Sequence, residues 1–227
     1  MTDSSDPGEP EPAVRLPATA RGRRRRQALL DAARQVFARD GFADARITDI
    51  ADTAKAAHGS FYTYFDSKEE IFVTLLRELE DELRSPGPRH VQQEEDEGPD
   101  RLEPYEQILR ANHAYLEAYR KNHAIMVVWE QVATLNASVE ALRREAGDRF
   151  VQRIERGIRY WQERGTTDPE IDPSYAAMAL SGMVSNFAYR WSAQNADYEL
   201  EKAARQLSLL WANSLGVRVP GPAPERD

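Results

Sequence analysis

The chain has 227 residues, enough for two small helical domains, with a net charge of −8 and no cysteine. The missing thiols exclude a disulfide framework, a thiol nucleophile and a cysteine zinc site. No apolar run is long enough to span a bilayer and no signal-peptide core follows the start, so a cytoplasmic location is expected.

The acidic total conceals a division along the chain. From Arg15 to Lys68 there are eleven basic and six acidic side chains, and from residue 69 to 100 three basic and eleven acidic ones. Positive charge is thus concentrated early, and an acidic segment follows it. Residues 1–20 are rich in Pro, Asp, Glu and Ala without periodicity, which predicts a disordered tail. Arg21-Gly22-Arg23-Arg24-Arg25-Arg26 comes next. It reads either as a basic arm that follows a nucleic-acid backbone or as a solvated helix start with generic attraction to phosphate. Generic attraction is favoured, with Arg21 to Arg24 mobile when no polyanion is present and Arg23 and Arg24 as candidate contacts.

Leu29, Ala32, Ala33, Val36 and Phe37 then recur at helical spacing, and Gly41 stands where a helix stops. Thr48 can cap a short helix with Ile50, Ala51 and Ala54 on its apolar stripe. A second short helix begins near Ala57, with Ala57, Phe61 and Phe65 four apart on an inner face. His58, Gly59, Tyr62 and Thr63 are left to face outward. Two short helices joined tightly, the second with a polar outer stripe, have the layout of a helix-turn-helix that reads the major groove. A glycine there costs about 1 kcal/mol. It either lets a base or phosphate approach closely or makes room for a neighbouring helix, and the outward stripe favours the former. Tyrosines beside it suit phosphate contact as neutral donors on rigid arms.

Ser67-Lys68-Glu69-Glu70 is a capping box that opens a fourth helix running to about Arg84. Lys68 sits in its first turn, where positive charge opposes the dipole, and a nearby phosphate would account for it. Residues 85–99, SPGPRHVQQEEDEGP, read as a linker or loop. Beyond it the pattern predicts helices from Pro104 to about Lys121, from Ala124 to Leu135, from a Ser138 cap to Arg164 with Gly165 as stop, from Pro173 to Ala193 after a capping Asp172, and from about Glu199 to Leu215, capped by Asp197 and stopped by Gly216.

The residues ALLDAARQVFARDGF (28–42), Thr48, Asp49-Ile50-Ala51, Gly59-Ser60-Phe61-Tyr62-Thr63-Tyr64-Phe65 and Ser67-Lys68-Glu69 together resemble the N-terminal domain of the TetR/AcrR family of transcriptional regulators. The resemblance runs from Arg24 to Leu76, about a quarter of the chain. It implies an all-α protein with an N-terminal three-helix helix-turn-helix DNA-binding domain and a C-terminal helical bundle for ligand binding and dimerisation. It also implies a homodimer on double-stranded DNA, most simply a repressor that releases a palindromic operator when a small effector binds. Carried over by position, Thr48, His58, Ser60, Tyr62, Tyr64 and Lys68 face DNA, and Lys55, Gly59 and Thr63 join them from the residue reading. Two residues depart from the family pattern. Lys55 stands where the turn usually has glycine, and Ala57 stands where serine or threonine usually opens the second helix. The first costs energy in a positive-φ turn, and the second forgoes a cap.

The expected organisation is a tail (1–20), a DNA-binding domain (21–68), a connecting helix (69–84), an acidic linker (85–100), a ligand-binding and dimerisation domain (101–216) and a second tail (217–227). The dimer is expected through the helices 173–193 and 199–215. Ala176, Ala179, Leu180, Met183, Val184 and Phe187 stripe the first, and Leu207, Leu210, Trp211 and Leu215 the second. Pocket candidates are Tyr115, Tyr119, Met126, Trp129, Phe150, Trp161, Phe187 and Trp191, although aromatic and Met side chains at helical spacing are more often core. Asn112, His113, Glu130, Gln131, Asn186 and Arg190 are the polar groups able to orient a ligand, for which an apolar or amphipathic effector is the default.

Two other readings compete. One is a constitutive DNA-binding protein without effector. The other, a metal-dependent enzyme, rests on His113 and Glu117 one helical turn apart with His123 nearby. No third ligand, Gly-rich phosphate loop, nucleophile elbow or paired-carboxylate pattern supports catalysis, so no enzyme, cofactor or metal is expected.

Overall fold

The computed structural model describes residue 17 and residues 19–84, 102–193 and 198–220. The expected tail up to residue 16, the acidic linker at 85–100, the Asp197 cap and the end of the chain from 221 lie outside them. The described residues form nine helices and no strand: α1 (Ala20–Asp44), α2 (Ile47–Thr53), α3 (His58–Phe61), α4 (Lys68–Arg84), α5 (Pro104–Lys121), α6 (His123–Ala133), α7 (Ala137–Glu163), α8 (Pro173–Ala193) and α9 (Leu200–Ser214). The protein is all-α, as its sequence predicts. By its contacts the chain divides into two compact units, residues 1–75 and 76–227, with α4 passing from one to the other.

In the first unit α1 begins at Ala20, where the Gly22 N–H donates to the Thr19 hydroxyl at 3.1 Å. The arginine run is therefore helical and is not an arm. Leu29, Leu30, Ala33, Val36 and Phe37 of α1 are wholly buried with Ile50, Ala51 and Phe61, and Ile71 and Phe72 of α4 complete that core. Phe37, Phe42 and Phe72 form an aromatic knot with ring centroids 4.9–5.7 Å apart. Gly41 breaks α1 with φ 73 and ψ 178, a conformation that a side chain would disfavour, and so lets Phe42 fold back into the knot.

The joint between α2 and α3 is a helix-terminating turn built without glycine. Lys55 takes φ 51, its N–H donates to Asp52 O at 3.0 Å, and the Ala56 N–H donates to Ala51 O at 2.9 Å. This pair of bonds is the Schellman pattern, so Lys55 occupies the left-handed site that a glycine would fill without strain. Two sequence expectations fail here. Arg46, and not Thr48, takes the N-cap position of α2, with no side-chain cap. Thr48 already lies in the first turn. Ala57 is exposed, and Ala56 takes its place beneath the turn beside Phe61 and Phe65.

In the second unit α5 packs on α9, and α7 packs on α6 and α8. The cap of α7 lies two residues earlier than expected: Asn136, not Ser138, accepts from the Val139 N–H at 3.1 Å. Asp172 caps α8 as predicted, accepting from the Ser174 N–H at 2.8 Å and the Tyr175 N–H at 3.4 Å. Val217, assigned to a disordered tail, is buried, with its N–H on Ala212 O at 2.8 Å. Among the described residues no helix is long and apolar enough to cross a membrane.

Candidate nucleic-acid interface and internal cavity

The second helix of the pair is short, and its residues divide sharply by exposure. Phe61 and Phe65 are buried, while His58, Gly59, Tyr62 and Thr63 are exposed and Ser60 and Tyr64 half-buried. The His58 and Tyr62 rings lie edge to face at 5.7 Å and hold each other outward. A Cβ built on Gly59 meets nothing within 4 Å. Among the described residues no neighbouring helix occupies the space that a side chain there would take. Thr48 and Lys55 are exposed beside this face.

A groove of about 580 Å³ runs along α1 toward α3, walled by Arg21, Arg24, Arg25 and Ala28 on one side and Ser60 and Tyr64 on the other. Positions 21, 24, 25 and 28 share one helical face, so three guanidinium groups line up along it. Arg21 and Arg25 were not among the expected site residues. Reading the arginine run with helical periodicity, instead of as an arm, finds them. Arg26 turns inward instead, stacking over Phe65 at 5.0 Å from the ring centroid.

Lys68 differs from its expected role. Its ammonium donates to Phe42 O at 2.7 Å, Ala45 O at 3.0 Å and Ala43 O at 3.1 Å, and lies 4.7 Å from the centre of the Phe42 ring. All three donors are spent inside the protein on the chain that leaves α1. An ammonium has three N–H groups, so none remains for a phosphate without breaking one of these bonds.

The second unit encloses a cavity between α5, α7 and α9, with about 50 Å³ of open space. That is small beside the 300–1,000 Å³ common for ligand pockets, so only a slender ligand enters without widening it. Of the expected pocket residues, Tyr115, Phe150 and Trp161 line it, with Asn112 as a polar wall residue. Tyr115 and Phe150 stack at 5.5 Å. Burial pushes the Tyr115 phenol well above its ordinary value, and nearby Tyr119 and Glu130 add to the shift, so it stays a neutral donor. Tyr119, Met126, Trp129 and Trp191 are buried but belong to the core away from this cavity. Phe187 is half-buried against Trp191 and Tyr198, with centroids at 6.1 and 5.4 Å. Trp211, expected at a dimer contact, lines the cavity instead. The Trp161 and Trp211 indole N–H groups are buried and find no hydrogen-bond partner among the described residues. Asn112 donates to the Ser208 hydroxyl at 3.1 Å, tying the α5 wall to α9.

The expected dimer stripe also divides. Leu180, Val184, Leu207 and Leu215 are buried within the chain. The apolar side chains left outside are Tyr175 (79% exposed), Met178 (61%), Tyr189 (44%) and Leu210 (54%), with Ala179 and Gly182 exposed beside Met178. The stripe differs from the expected one because α8 buries Ala177, Leu180, Val184, Ala188 and Trp191 and leaves Met178, Ala179 and Gly182 outside. His113 pairs loosely with Glu201 at 3.9 Å. Among the described residues no group of three His, Asp or Glu is placed to hold a metal ion.

A helix-turn-helix with an outward polar face beside an arginine-lined groove, in an all-α protein, defines a helix-turn-helix regulator. Residues 29–75 match the family model for bacterial regulatory proteins of the tetR family. The HTH-type transcriptional repressor KstR2 of Mycobacterium tuberculosis (strain ATCC 25618 / H37Rv) is 30% identical over 154 residues, covering 65% of this chain and 72% of that protein. The HTH-type transcriptional regulator YhgD of Bacillus subtilis (strain 168) is 26% identical over 204 residues, 85% of this chain and 97% of its own length. Among solved structures, a protein from Saccharomonospora viridis crystallised in complex with choline has the same fold, with a TM-score of 0.69 at 21% identity over 84% of this chain and 96% of its own. The chain belongs to the TetR family of transcriptional regulators.

Proposed function

We propose that the protein is a repressor that binds a palindromic operator as a homodimer and lets go when a small molecule enters the cavity between α5, α7 and α9. The groove lined by Arg21, Arg24 and Arg25 carries the DNA half of this reading. It leads from the basic start of α1 to Ser60 and Tyr64, so phosphates tracked along it deliver a base edge to His58 and Gly59. Thr48, Lys55, Tyr62, Thr63, Tyr64, Arg21, Arg24 and Arg25 hold phosphate in this reading, Arg23 adds general attraction, and Lys68 positions the head.

The exposed apolar patch of Tyr175, Met178, Tyr189 and Leu210 is the surface for a second copy of this chain. A two-fold dimer matches the symmetry of a palindrome. The cavity supports an effector, and the relative named as a repressor supports the sign of regulation. The test is to select duplexes from a random library with the purified chain. A palindrome should emerge, Arg24→Ala should weaken all duplexes alike and reduce the salt slope by about one, and His58→Ala should change the preferred sequence. Enrichment of no palindrome sinks the operator reading.

A further inference from the structure

The walls of the cavity say what chemistry would fill it. Four aromatic rings, those of Tyr115, Phe150, Trp161 and Trp211, stand among its lining, and the amides of Gln107 and Asn112 are its neutral polar groups. Two of those rings hold buried indole N–H groups without a partner among the described residues. An unpaired buried donor is costly, and a ligand carrying the right acceptor recovers that cost on binding. Among the described residues no carboxylate lines the cavity, and Arg153 is the formally charged side chain on its wall. A cation would meet favourable ring faces, but it would leave both indole donors unpaired and bring like charge toward Arg153. A neutral hydrocarbon would leave the donors as they are. An anion with an apolar body satisfies the donors and the rings together.

We propose that the cavity takes a small carboxylic acid with a flat apolar ring, its carboxylate accepting from the indole N–H groups of Trp161 and Trp211 and its ring lying against Tyr115 and Phe150. This rests on the reading of the cavity as the effector site. The open space, about 50 Å³, is less than the roughly 150 Å³ that takes a benzene ring, so the walls part to admit the ligand and a small body is favoured. The ligand would also meet a route outward. Trp211 and Ser208 sit on α9 with exposed Leu210, and Asn112 on the cavity wall donates to Ser208 at 3.1 Å. Pairing Trp211 to a ligand therefore acts on the helix that carries part of the proposed dimer patch.

Titration calorimetry of the full chain without DNA tests this with benzoate, phenylacetate and cinnamate, against phenethyl alcohol and benzyltrimethylammonium. At least one acid should bind saturably, about tenfold or more tighter than the alcohol and the ammonium, as expected for loss of a charge-assisted hydrogen bond. Trp161→Phe and Trp211→Phe keep a ring and remove the donor, and each should cost the acid about tenfold. Because core tryptophan variants can misfold, Gly157→Leu provides a second line. A Cβ at Gly157 meets nothing within 4 Å, so the new side chain fills the cavity from a helix that gains propensity. It should abolish acid binding and melt no lower than the parent.

Heat from none of the three acids, tighter binding of the ammonium, or a Gly157→Leu chain that binds like the parent overturns the proposal. Acid that binds yet leaves a selected duplex bound supports the acid site and refutes release. Release of that duplex by other metabolites, with no acid bound, refutes the acid site and leaves the switch standing.

Discussion

Lys68 shows how one residue can look like a ligand contact and serve the fold. Its charge opposes the dipole of α4, yet its three carbonyl partners at Phe42, Ala43 and Ala45 tie the start of α4 to the chain leaving α1. Lys68→Met should lower the stability of the head by about 2 kcal/mol, in line with hydrogen bonds to a charged group that water only partly replaces. Under conditions where the variant is folded, the salt slope of DNA binding should stay that of the parent. A slope reduced by about one would return Lys68 to the phosphate backbone. Lys55 is the opposite case. Its departure from glycine was legible as strain, and its left-handed φ of 51 places a cation on the exposed side of the turn.

At the scale of elements, ionic groups hold α4 in the second unit alongside its buried Leu76 and Leu79. Arg149 of α7 grips Glu80 with two bonds of 2.9 Å, and Asn122 donates to Glu82 at 3.1 Å. The Glu80 side chain is only 11% exposed, so removing Arg149 takes a bidentate partner from a buried charge. Because Arg149 is itself nearly half-exposed, Arg149→Met should cost about 2 kcal/mol, less than a fully buried pair. Adding Glu80→Leu should recover part of that loss, and a thermal double-mutant cycle reads the coupling. Additive losses would show that the pair holds nothing.

Acid probes α8 in the same way. Asp172 is held below the usual carboxylate range by the Ser174 side-chain hydroxyl first, then by the backbone N–H groups of Ser174 and Tyr175. A depressed folded value means that its contribution is present above the unfolded value, near 4, and is lost as pH falls through the folded one. Asp172→Ala should therefore melt lower than the parent at neutral pH, with the gap narrowing below about pH 4. A gap independent of pH would reject the charged cap.

These elements were largely readable beforehand. Pro173 after Asp172, Gly165, Gly216 and the apolar spacing of α1 are local signals, and they put most helix ends within a few residues. The misses are of another kind. Whether Ala56 or Ala57 lies inward depends on how the turn at Lys55 rotates α3 against α2, and periodicity inside either helix does not carry that angle. Leu207 and Trp211 look alike on a helical wheel. One enters the core and the other a cavity only because α5 packs on α9. The outer stripe of α3 was visible because its residue types alternate, whereas the cavity was not, because its rings are the same types that fill the core.

At the scale of the whole molecule, the patch on α8 and α9 should decide the oligomeric state. Met178→Asp with Leu210→Asp puts charge on two exposed apolar positions without touching the buried stripe. The pair should sediment as a monomer with an unchanged helical spectrum and should lose binding to a two-half-site duplex far more than to a single half-site. A variant that remains dimeric would move the interface elsewhere.

The clamp at Lys68 also has a consequence for reagents that attack amines. The chain has four lysines, and Lys55, Lys121 and Lys202 are exposed with side chains open to solvent, while Lys68 has its nitrogen enclosed by three carbonyl oxygens. Acylation needs that nitrogen to leave all three at once, so the first three lysines should label early and Lys68 last. The lag at Lys68 then clocks how often the end of α1 and the start of α4 part company. A native chain treated with a limiting acylating agent would thus report the opening of its head, residue by residue, in a mass spectrum.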